Sequence, residues 1–347
     1  MSILSHSPGP QQASLSAAEG ARRSELRDRR YRLQHSGIDV AILAGVCLLA
    51  SIVYALVRPN SFAFLSQANV TTALQTIPFL GVPALGVGIL MIAGEFDLSI
   101  GANYVFSSII MAQLHDVAGM SVWLAAAIGL AIGIGIGMLN GLITLRLRIP
   151  SFITTLGTAG IWSAAILFVH GASSQTFTPS DGFAAVTSSS IAGIPVAFVW
   201  FVVLAVAGWA LLQRHRIGNH IFAAGGNRQA AIATGVRVDR AKLLAFALTG
   251  LCAAIAGILA AASVGDVSPT EAAELPLQAI AACVIGGVLL TGGRGTILGM
   301  FLGACLIYWI QDVLLLAGAP GYYLSAFVGA LVIAAAVLYQ RLQARRV

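Results

Sequence analysis

The chain has 347 residues, of which 58% are hydrophobic and 9% are charged, and its formal net charge at pH 7 is +6. A water-soluble domain carries about 25% charged residues, and a disordered chain is poor in apolar residues, so the composition excludes both classes. It predicts instead an all-α, polytopic membrane helical bundle, because helices satisfy their own backbone groups in lipid.

The basic residues are distributed as a topology signal and do not form a nucleic-acid-binding patch. Lys242 is the only lysine, and most arginines lie in short stretches between long apolar runs. We therefore expect membrane lipid as a partner and no nucleic acid. The cysteines lack a Cys-x-x-Cys pair, so we interpret them as packing residues and expect no metal site; they are Cys47, Cys252, Cys283 and Cys305.

Residues 1–38 form a polar segment with six arginines between Arg22 and Arg32. It lacks the apolar core and cleavage site of a secretory signal, so we predict a cytoplasmic N-terminal segment. Two interpretations stay open for residues 19–37. They form either a helix at the membrane surface, with Leu26 and Leu33 dipping inward, or a disordered basic tail.

Apolar runs of about 17–25 residues, the length that crosses a bilayer, occur about ten times. The predicted spans are 39–57, 70–93, 101–115, 122–144, 151–170, 195–212, 242–262, 276–291, 297–316 and 323–340. Those at 101–115 and 276–291 are short, and we expect one or both to be tilted, broken or only partly crossing. Residues 39–340 thus predict a single transmembrane domain of about eight to ten spans, followed by a tail at 341–347.

The arginines predict the orientation of these spans. With the N-terminus in the cytoplasm and ten crossings, every lysine and arginine except Arg58 lies on the inner side. One miscounted span would move all later loops to the other side. We therefore predict that both termini are cytoplasmic.

Proline and glycine predict where the bundle is broken and where it is tight. Pro78 and Pro83 in the second span are expected to kink or interrupt it, which makes this span a candidate pathway wall. Glycines recur every four residues in two later spans and are expected to form smooth faces for close helix contacts. These helix-packing glycines are Gly129, Gly133, Gly137 and Gly141 in the fourth span, and Gly295, Gly299 and Gly303 in the ninth.

The first local motif is Gly94-Glu95-Phe96-Asp97-Leu98-Ser99-Ile100-Gly101, which places two carboxylates between two apolar runs. An acid at the bilayer centre is costly, so we expect the motif at the inner boundary. Either Asp97 or Ser99 caps the third helix with a side-chain oxygen, or the motif takes part in gating or solute contact. For the second role the candidate residues are Gly94, Asp97, Leu98, Ser99 and Gly101.

The second motif lies in a long inner loop, residues 213–241, which contains Gly225-Gly226-Asn227-Arg228-Gln229-Ala230-Ala231 and Gly235. The loop is longer than a turn needs and contains a short helical pattern. It is interpreted as a docking element for a cytoplasmic partner, or alternatively as a solvated loop whose charges only fix topology. Gly235 is expected to end the short helix in a left-handed turn.

The third motif, Ile285 to Gly299, is rich in glycine but lacks the Gly-Lys-Ser/Thr ending of a phosphate-binding loop. We therefore expect no nucleotide and no other cofactor to bind this chain. Polar residues within the spans are few. Asn103 with Ser107, and Thr154 with Thr158, are the candidates for lining a pathway, although bonding to neighbouring helices explains them equally well.

Together the three motifs resemble those of the permease subunits of ATP-binding-cassette importers for monosaccharides such as ribose, arabinose and xylose. Gly94–Gly101 is similar to that family's Gly-Gly-x-Asp-Leu-Ser-x-Gly, and Gly225–Gly235 to its Gly-Gly-Asn-x-x-Ala-x-x-x-x-Gly. Ala279–Gly299 is similar to its segment near the end of the chain. The resemblance runs from about residue 40 to 340, and Glu95 departs from it because the family usually has Gly there.

The resemblance implies a transmembrane permease in the bacterial inner membrane that pairs with a second permease chain, identical or similar. It implies a ten-span fold similar to that of the vitamin B12 importer permease, an extracytoplasmic sugar-binding protein, and a cytoplasmic ATPase that holds the ATP and Mg²⁺. The ATPase would bind the loop between the sixth and seventh spans. The coupling residues carried over are Gly225, Gly226, Asn227, Arg228, Gln229, Ala230, Ala231 and Gly235.

Two other classes of protein explain the sequence less well. An ion-coupled secondary transporter of a small polar solute would place ionisable residues at mid-membrane, whereas the clearest acid within a span, Asp312, lies near an outer end. An intramembrane enzyme would need clustered His, Asp or Ser within the spans. His115 and His170 lie at outer ends, and the sequence has neither His-Glu-x-x-His nor Gly-x-Ser-x-Gly, so we expect no enzymatic activity.

Overall fold

The computed structural model describes residues 62–320 without a gap, and residues 45, 49, 52–54, 57, 322, 323, 325, 326, 329, 330 and 333 beside them. The predicted segment 1–38 and the tail 341–347 lie outside the described residues. The predicted spans 39–57 and 323–340 are described only at those scattered positions, so both stay predictions.

Within residues 62–320 the protein is almost entirely helical. The α-helices are α1 Gln67–Ile92, α2 Ile100–Ala112, α3 Val122–Leu147, α4 Ser151–His170, α5 Asp181–Thr187, α6 Val196–Arg214, α7 Arg216–Gly226, α8 Arg228–Ala233, α9 Val238–Val264, α10 Leu275–Ile285 and α11 Ile297–Leu316. A π-helical turn, Gln113–Val117, extends α2. Six of the described helices are long and apolar enough to cross a membrane, namely α1, α3, α4, α6, α9 and α11. The protein is therefore a multi-pass helical membrane protein.

Among the described residues, four two-residue strands connect the loops at one end of the bundle. They are β1 Gln175–Thr176, β2 Ser190–Ile191, β3 Ile194–Pro195 and β4 Asp266–Val267. β1 pairs antiparallel with β4, with Gln175 opposite Val267, and β2 pairs antiparallel with β3. The β1–β4 pair ties the segment after α4 to the segment after α9, so these two helices end on the same side.

Helix α10 is shorter than the predicted span 276–291. It ends at Ile285, and Gly287, Gly292 and Gly293 then adopt left-handed backbone conformations with φ of +81°, +82° and +72°. Eleven helical residues extend about 16 Å, roughly half of a hydrocarbon core of about 30 Å. This helix therefore crosses only part of the membrane, as its short apolar run had suggested.

Helix α1 is continuous through Pro78 and Pro83, so the predicted interruption does not occur. Nearly every residue from Pro78 to Ile92 is buried, and neighbouring helices hold this half of α1 in place. Thr249 Oγ1 donates to the Gly86 carbonyl at 3.0 Å, and Cys283 Sγ to the Ala84 carbonyl at 3.1 Å. These bonds attach α1 to α9 and α10. The half of α1 from Pro78 to Ile92 is therefore interior, whereas Asn69, Ala73 and Ile77 of the first half line a cavity of about 370 Å³. A role of α1 as a pathway wall stays a prediction.

The glycine face of α3 packs mainly against α9, the most central helix of the described bundle. A Cβ on Gly129 would lie 2.9 Å from the Ser107 carbonyl of α2, and one on Gly141 would lie 2.9 Å from Leu243 Cδ1 of α9. At Gly137 a Cβ would overlap the Phe246 carbonyl. Contacts this close require the absence of a side chain.

The second predicted glycine face needs a correction. Gly299 and Gly303 do lie on α11 and contact the backbone of α10 near Gly286 and Ala282. Gly295, however, precedes the helix, because Thr296 is the N-cap of α11 and accepts a hydrogen bond from Gly299 N at 3.0 Å. Because the helix begins only after Thr296, Gly295 does not share a helix face with Gly299 and Gly303.

The two ends of the bundle differ in charge. Every lysine and arginine within 62–320 lies at one end, here called the basic end: Arg146, Arg148, Arg214, Arg216, Arg228, Arg237, Arg240, Lys242 and Arg294. The other, called the hairpin end, comprises residues 113–121, 171–195 and 265–267 and carries Asp116, Asp181 and Asp266. Contacts hold each set of loops together, for example the Thr178 N to Asp116 Oδ2 hydrogen bond of 3.4 Å. This segregation matches the predicted alternation of loops for the described part of the chain.

Candidate functional site

The three motifs meet at the basic end of the bundle. Gly94 and Gly225 come so close that a Cβ on Gly94 would lie 3.4 Å from Gly225 Cα, and a Cβ on Gly292 would lie 2.8 Å from Gly94 Cα. Gly293 N donates to the Ile92 carbonyl at 2.8 Å. We call Gly94, Gly225, Gly226, Gly292 and Gly293 the glycine junction. It joins the ends of α1, α7 and α10 through backbone contacts, and at Gly225, Gly292 and Gly293 these contacts leave no room for a side chain.

The loop after α1 is held by side chains of the helices around it. Phe96 N donates to Ser151 Oγ at 3.0 Å, and Leu98 N donates to Thr155 Oγ1 at 3.0 Å. Both acceptors lie in the first two turns of α4. The loop, residues 94–99, is therefore fixed to α4 through its backbone, and this constraint is independent of the residues at 96 and 98.

Asp97 is fully buried and forms a polar network. Its Oδ1 accepts hydrogen bonds from Ser99 N at 2.8 Å and Ser99 Oγ at 2.7 Å. Asn140 Nδ2 of α3 lies 2.7 Å from Ser99 Oγ and 3.4 Å from Asp97 Oδ2. No basic residue forms an ion pair with Asp97 in the described part of the chain. The carboxyl group is stabilised by hydrogen-bond donors alone.

This network corrects the capping prediction in part. Ser99 is the N-cap residue of α2, but its side chain makes no capping hydrogen bond. Asp97 binds the backbone N–H of Ser99 itself, two residues along, and does not reach the first turn of the helix. It thus fixes the turn that leads into α2. A role in gating stays a prediction.

Glu95 forms the most buried ion pair among the described residues. Lys242 Nζ of α9 donates to Glu95 Oε1 at 2.5 Å, and the two side chains are 10% and 13% exposed, respectively. Lys242 is therefore a structural partner of the loop as well as part of the topology signal. One turn earlier in α9, Asp239 pairs with Arg228 at 3.2 Å, and both of these side chains are mostly exposed.

The long inner loop folds into two short helices, α7 and α8. The Asn227 side chain caps α8 by accepting a hydrogen bond from Ala230 N at 3.0 Å. Gly235 follows α8 with φ of +83°, in the left-handed turn that the sequence predicted. Arg228, Gln229 and Ala230 are exposed, whereas Ala231 is 4% exposed and belongs to the hydrophobic core.

The buried side of α8 changes the interpretation of Ala231. Ala231 was carried over as a coupling residue in contact with the ATPase, but its side chain packs into this chain's own core. The large exposed apolar residue of α8 is Ile232, whose side chain is 52% exposed. The alanines of α8 alone do not indicate which face of the helix is exposed and which packs into the core.

The predicted pathway residues are placed inside helix contacts. Asn103 Nδ2 donates to the Gly133 carbonyl of α3 at 3.1 Å, and Ser107 Oγ donates to Asn103 Oδ1 at 3.0 Å. Thr158 Oγ1 donates to the Thr155 carbonyl at 3.3 Å, while Thr154 Oγ1 is buried without a partner among the described residues. For Asn103 and Ser107 these contacts correspond to the helix-bonding alternative. The role of these residues in lining a pathway stays a prediction.

Sequence reasoning missed three features that position the site. Asn140, which donates to Ser99 and Asp97, could have been identified from the sequence, because it is an amide within an apolar span beside Gly141. Ser151 and Thr155 had a weaker one, since serine and threonine are common in membrane helices. The contact between Gly225 and Gly292 had none, because nothing in the sequence relates the two segments.

Comparisons with known proteins agree on one class. A family model described as "Branched-chain amino acid transport system / permease component" matches residues 69–336. The ribose import permease protein RbsC of Bacillus subtilis is 30% identical over 320 residues, which cover 91% of this chain and 98% of the relative. No solved structure matches the chain significantly.

Two further relatives are named as autoinducer 2 import system permease proteins, LsrC. The protein from Klebsiella pneumoniae is 34% identical over 293 residues, covering 84% of this chain and 83% of the relative. The one from Yersinia enterocolitica is 30% identical over 308 residues, covering 88% and 83%. Each of these alignments covers more than four fifths of this chain.

Proposed function

Because the chain belongs to the permease family whose model matches residues 69–336, we propose that it is the permease subunit of an ATP-driven importer for a sugar or related polyol. The relatives named for ribose and for autoinducer 2 support this class of cargo. The chain itself is not an enzyme. ATP and Mg²⁺ would bind a separate cytoplasmic ATPase, since no phosphate-binding loop is found in the sequence.

The proposed assembly contains this chain, a second permease chain, an ATPase and an extracytoplasmic sugar-binding protein, in the bacterial inner membrane. The basic end would face the cytoplasm, which is the orientation that the positive-inside rule favours. Ten crossings with both termini inside, and a likeness to the vitamin B12 importer permease, remain part of the proposal. The second permease chain is either identical or similar to this one.

The observation that carries the proposal is the glycine junction. It places the element expected to contact an ATPase, α7 with α8, directly against the loop that leads into α2 and the loop that follows α10. Where two backbone segments are in direct contact, a shift of one segment moves the other by a similar distance, because packed interiors are not continuously deformable. A movement of α7 would therefore displace both loops.

A second connection runs through the first two turns of α9. Arg228 of α8 pairs with Asp239, and three residues later Lys242 pairs with Glu95 of the loop after α1. Residues three apart lie on neighbouring positions of a helix surface. The exposed Arg228 pair contributes about 0–1 kcal/mol, so it orients α8 more than it stabilises the fold. The Lys242 pair then connects α9 to the loop.

The segment before α10 is the proposed place where the pathway passes. Gly101, at the start of α2, contacts the Ala272 carbonyl and Pro276. Asn103, in the same turn, donates to the Gly250 carbonyl at 3.4 Å, near the middle of α9. Residues 268–274 therefore return from the hairpin end to about half the depth of the bundle, and we call them the re-entrant segment.

The re-entrant segment carries acids that lipid would not tolerate. Glu271 and Glu274 are both exposed, and Ser268 N donates to Glu271 Oε2 at 3.0 Å. A carboxylate at the bilayer centre faces a water-filled cavity or a protein partner, because contact with lipid costs several kcal/mol. Polar side chains at mid-depth beside a partly crossing helix are also what a hydroxyl-rich solute would need.

The proposal is tested by changing the exposed face of α8. Ile232→Glu should leave the chain folded, because the side chain is 52% exposed, but should place an unpaired charge in the contact with the ATPase. We expect at least about a 30-fold loss of ATPase affinity in detergent, the effect of about 2 kcal/mol at an interface centre. ATP-dependent ribose uptake in proteoliposomes should be lost with it.

The matched control is Ile191→Glu, which introduces the same charge at a 62% exposed isoleucine of the hairpin end. It should retain full ATPase binding. If Ile232→Glu binds the ATPase as tightly as the wild type, α8 is not the docking surface. Uptake that proceeds without any ATPase would contradict the proposed function itself.

A further inference from the structure

A basic cavity of about 350 Å³ lies between α7 and the start of α9, beside the coupling helices but separate from the glycine junction. Arg237, Arg240 and His220 line it together with the apolar side chains of Ile217 and Leu244. It combines positive charge with an apolar wall. None of the roles considered above uses this cavity.

The charges in this cavity are not neutralised within the described part of the chain. Of the basic residues in the inner loop, Arg228 is paired with Asp239 and Lys242 with Glu95. Arg237 and Arg240 form no ion pair with any described residue. Asp239 lies between them in sequence, but its carboxylate is committed to Arg228.

The helix geometry increases the positive potential. Arg237 is the N-cap residue of α9, and Arg240 lies in its first turn. The N-terminus of a helix carries a partial positive charge and unpaired N–H groups. Two guanidinium groups placed there are therefore electrostatically unfavourable. An anion in the cavity would relieve this repulsion, since it would meet both guanidinium groups near the start of a 27-residue helix.

The position of the cavity selects the kind of anion. Gly250 lies near the middle of α9, and Arg240 precedes it by ten residues, or about 15 Å along the helix. This distance is half the thickness of a hydrocarbon core of about 30 Å. The arginines therefore lie at head-group level, with Ile217 and Leu244 available to the upper part of acyl chains. A soluble anion would gain nothing from that apolar wall.

We propose that this cavity binds the head group of an anionic phospholipid, phosphatidylglycerol or a lipid of similar charge, in the leaflet at the basic end. The phosphate lies between Arg237 and Arg240, and the first acyl carbons lie against Ile217 and Leu244. A lipid bound here also fixes the start of α9, from which Asp239 and Lys242 reach the coupling helix and the loop after α1. Anionic lipid thereby becomes a structural component of the coupling region.

The test measures lipid retention by the full-length permease. The wild type, Arg237→Gln/Arg240→Gln and a control, Arg146→Gln/Arg148→Gln, are purified from nanodiscs of phosphatidylcholine with or without phosphatidylglycerol. Native mass spectrometry then counts the retained phosphatidylglycerol. Removal of two surface charges should weaken binding about 30-fold for the first variant, since each basic residue near an anionic surface contributes about a factor of five. The control removes two basic residues of the same end and should bind normally.

Inorganic phosphate and glycerol phosphate serve as competitors that lack acyl chains. Neither should displace the lipid, and neither should raise the melting temperature of the wild type as phosphatidylglycerol does. Equal retention by the arginine variant and the control overturns the proposal, as does protection by inorganic phosphate alone. If the variant keeps its lipid but loses the ATPase, the cavity receives an acidic segment of a protein instead, and the lipid assignment is wrong.

Discussion

Replacement of Glu95 and Lys242, singly and together, tests how the loop after α1 is held to α9. The relevant variants are Glu95→Gln, Lys242→Met and the double variant. Each single change removes one partner from an ion pair whose side chains are 13% and 10% exposed, respectively. The remaining charge then stays in a largely desolvated place, where it has no counter-charge.

The magnitude follows from the geometry. At an N–O distance of 2.5 Å the attraction is of order 6 kcal/mol for an effective dielectric constant of about 20, and desolvation offsets most of it. Loss of one partner from a buried pair costs about 3–5 kcal/mol, and we take the lower figure because the pair is partly exposed. The double variant leaves no unpaired charge, so it should lose less than either single variant.

The assay is thermal unfolding of the purified permease in detergent, arranged as a double-mutant cycle. A loss of about 3 kcal/mol should lower the melting temperature of each single variant by about 6 °C, and that of the double variant by less than half as much. The exposed pair of Arg228 and Asp239 provides the control, because its disruption should cost no more than about 1 kcal/mol. If the two single losses simply add in the double variant, the side chains act independently and the pair does not hold the loop.

Two further predictions concern the glycine junction and the re-entrant segment. Gly225→Ala should destabilise the fold by about 1–3 kcal/mol in the same assay, because its Cβ would overlap the Ile92 carbonyl oxygen and lie 2.9 Å from Gly293 N. Gly226→Ala, whose Cβ would have its nearest neighbour 3.8 Å away, should be neutral, and equal losses would contradict the junction. Glu271→Cys should react with a charged, water-soluble maleimide in proteoliposomes. Ile161→Cys, at a 64% exposed position midway along α4, should not react because it faces lipid, and equal labelling would place no cavity at the re-entrant segment.

The long helices were predictable because each is one uninterrupted apolar run. Predicted spans 151–170 and 297–316 coincide with α4 and α11, and the other predicted spans within residues 62–320 agree within a few residues except at α10. Hydropathy failed there because the residues after Ile285 remain apolar while the backbone turns at Gly287. Apolar composition reports burial in lipid or protein, and it does not report the backbone conformation of a glycine.

The continuity of α1 was not predictable from Pro78 and Pro83 alone. Proline removes a hydrogen bond and weakens a helix locally, but the neighbours of a fully packed helix decide whether it breaks. Here the hydroxyl of Thr249 and the thiol of Cys283 contact carbonyls of the same half-helix. Neither partner is near α1 in sequence, so only the assembled bundle shows how this half-helix is held.

The candidate site was half predictable. The spacing of glycine, aspartate and asparagine marked all three motifs, and the arginines placed them at one end. Their mutual contact was not visible, because it depends on how α1, α7 and α10 end in space. Lys242 shows the same limit: a lone lysine at the start of an apolar run was interpreted as a topology signal, and its partner 147 positions away was found only in the structure.

The one-sided charge of the bundle also makes its orientation sensitive to the membrane voltage. A bacterial membrane is negative inside, and moving one charge across 100 mV changes the energy by about 2.3 kcal/mol. With the basic end inside, the arginines already occupy the side that attracts them, and Asp116, Asp181 and Asp266 occupy the side that attracts acids. Inversion of the whole bundle would oppose the voltage at both ends. Glu95, Asp97 and Asp239 offset three of the basic residues at the basic end, so the cost is roughly 20 kcal/mol at 100 mV. An energised membrane would thus favour the proposed orientation without any contact from a partner protein.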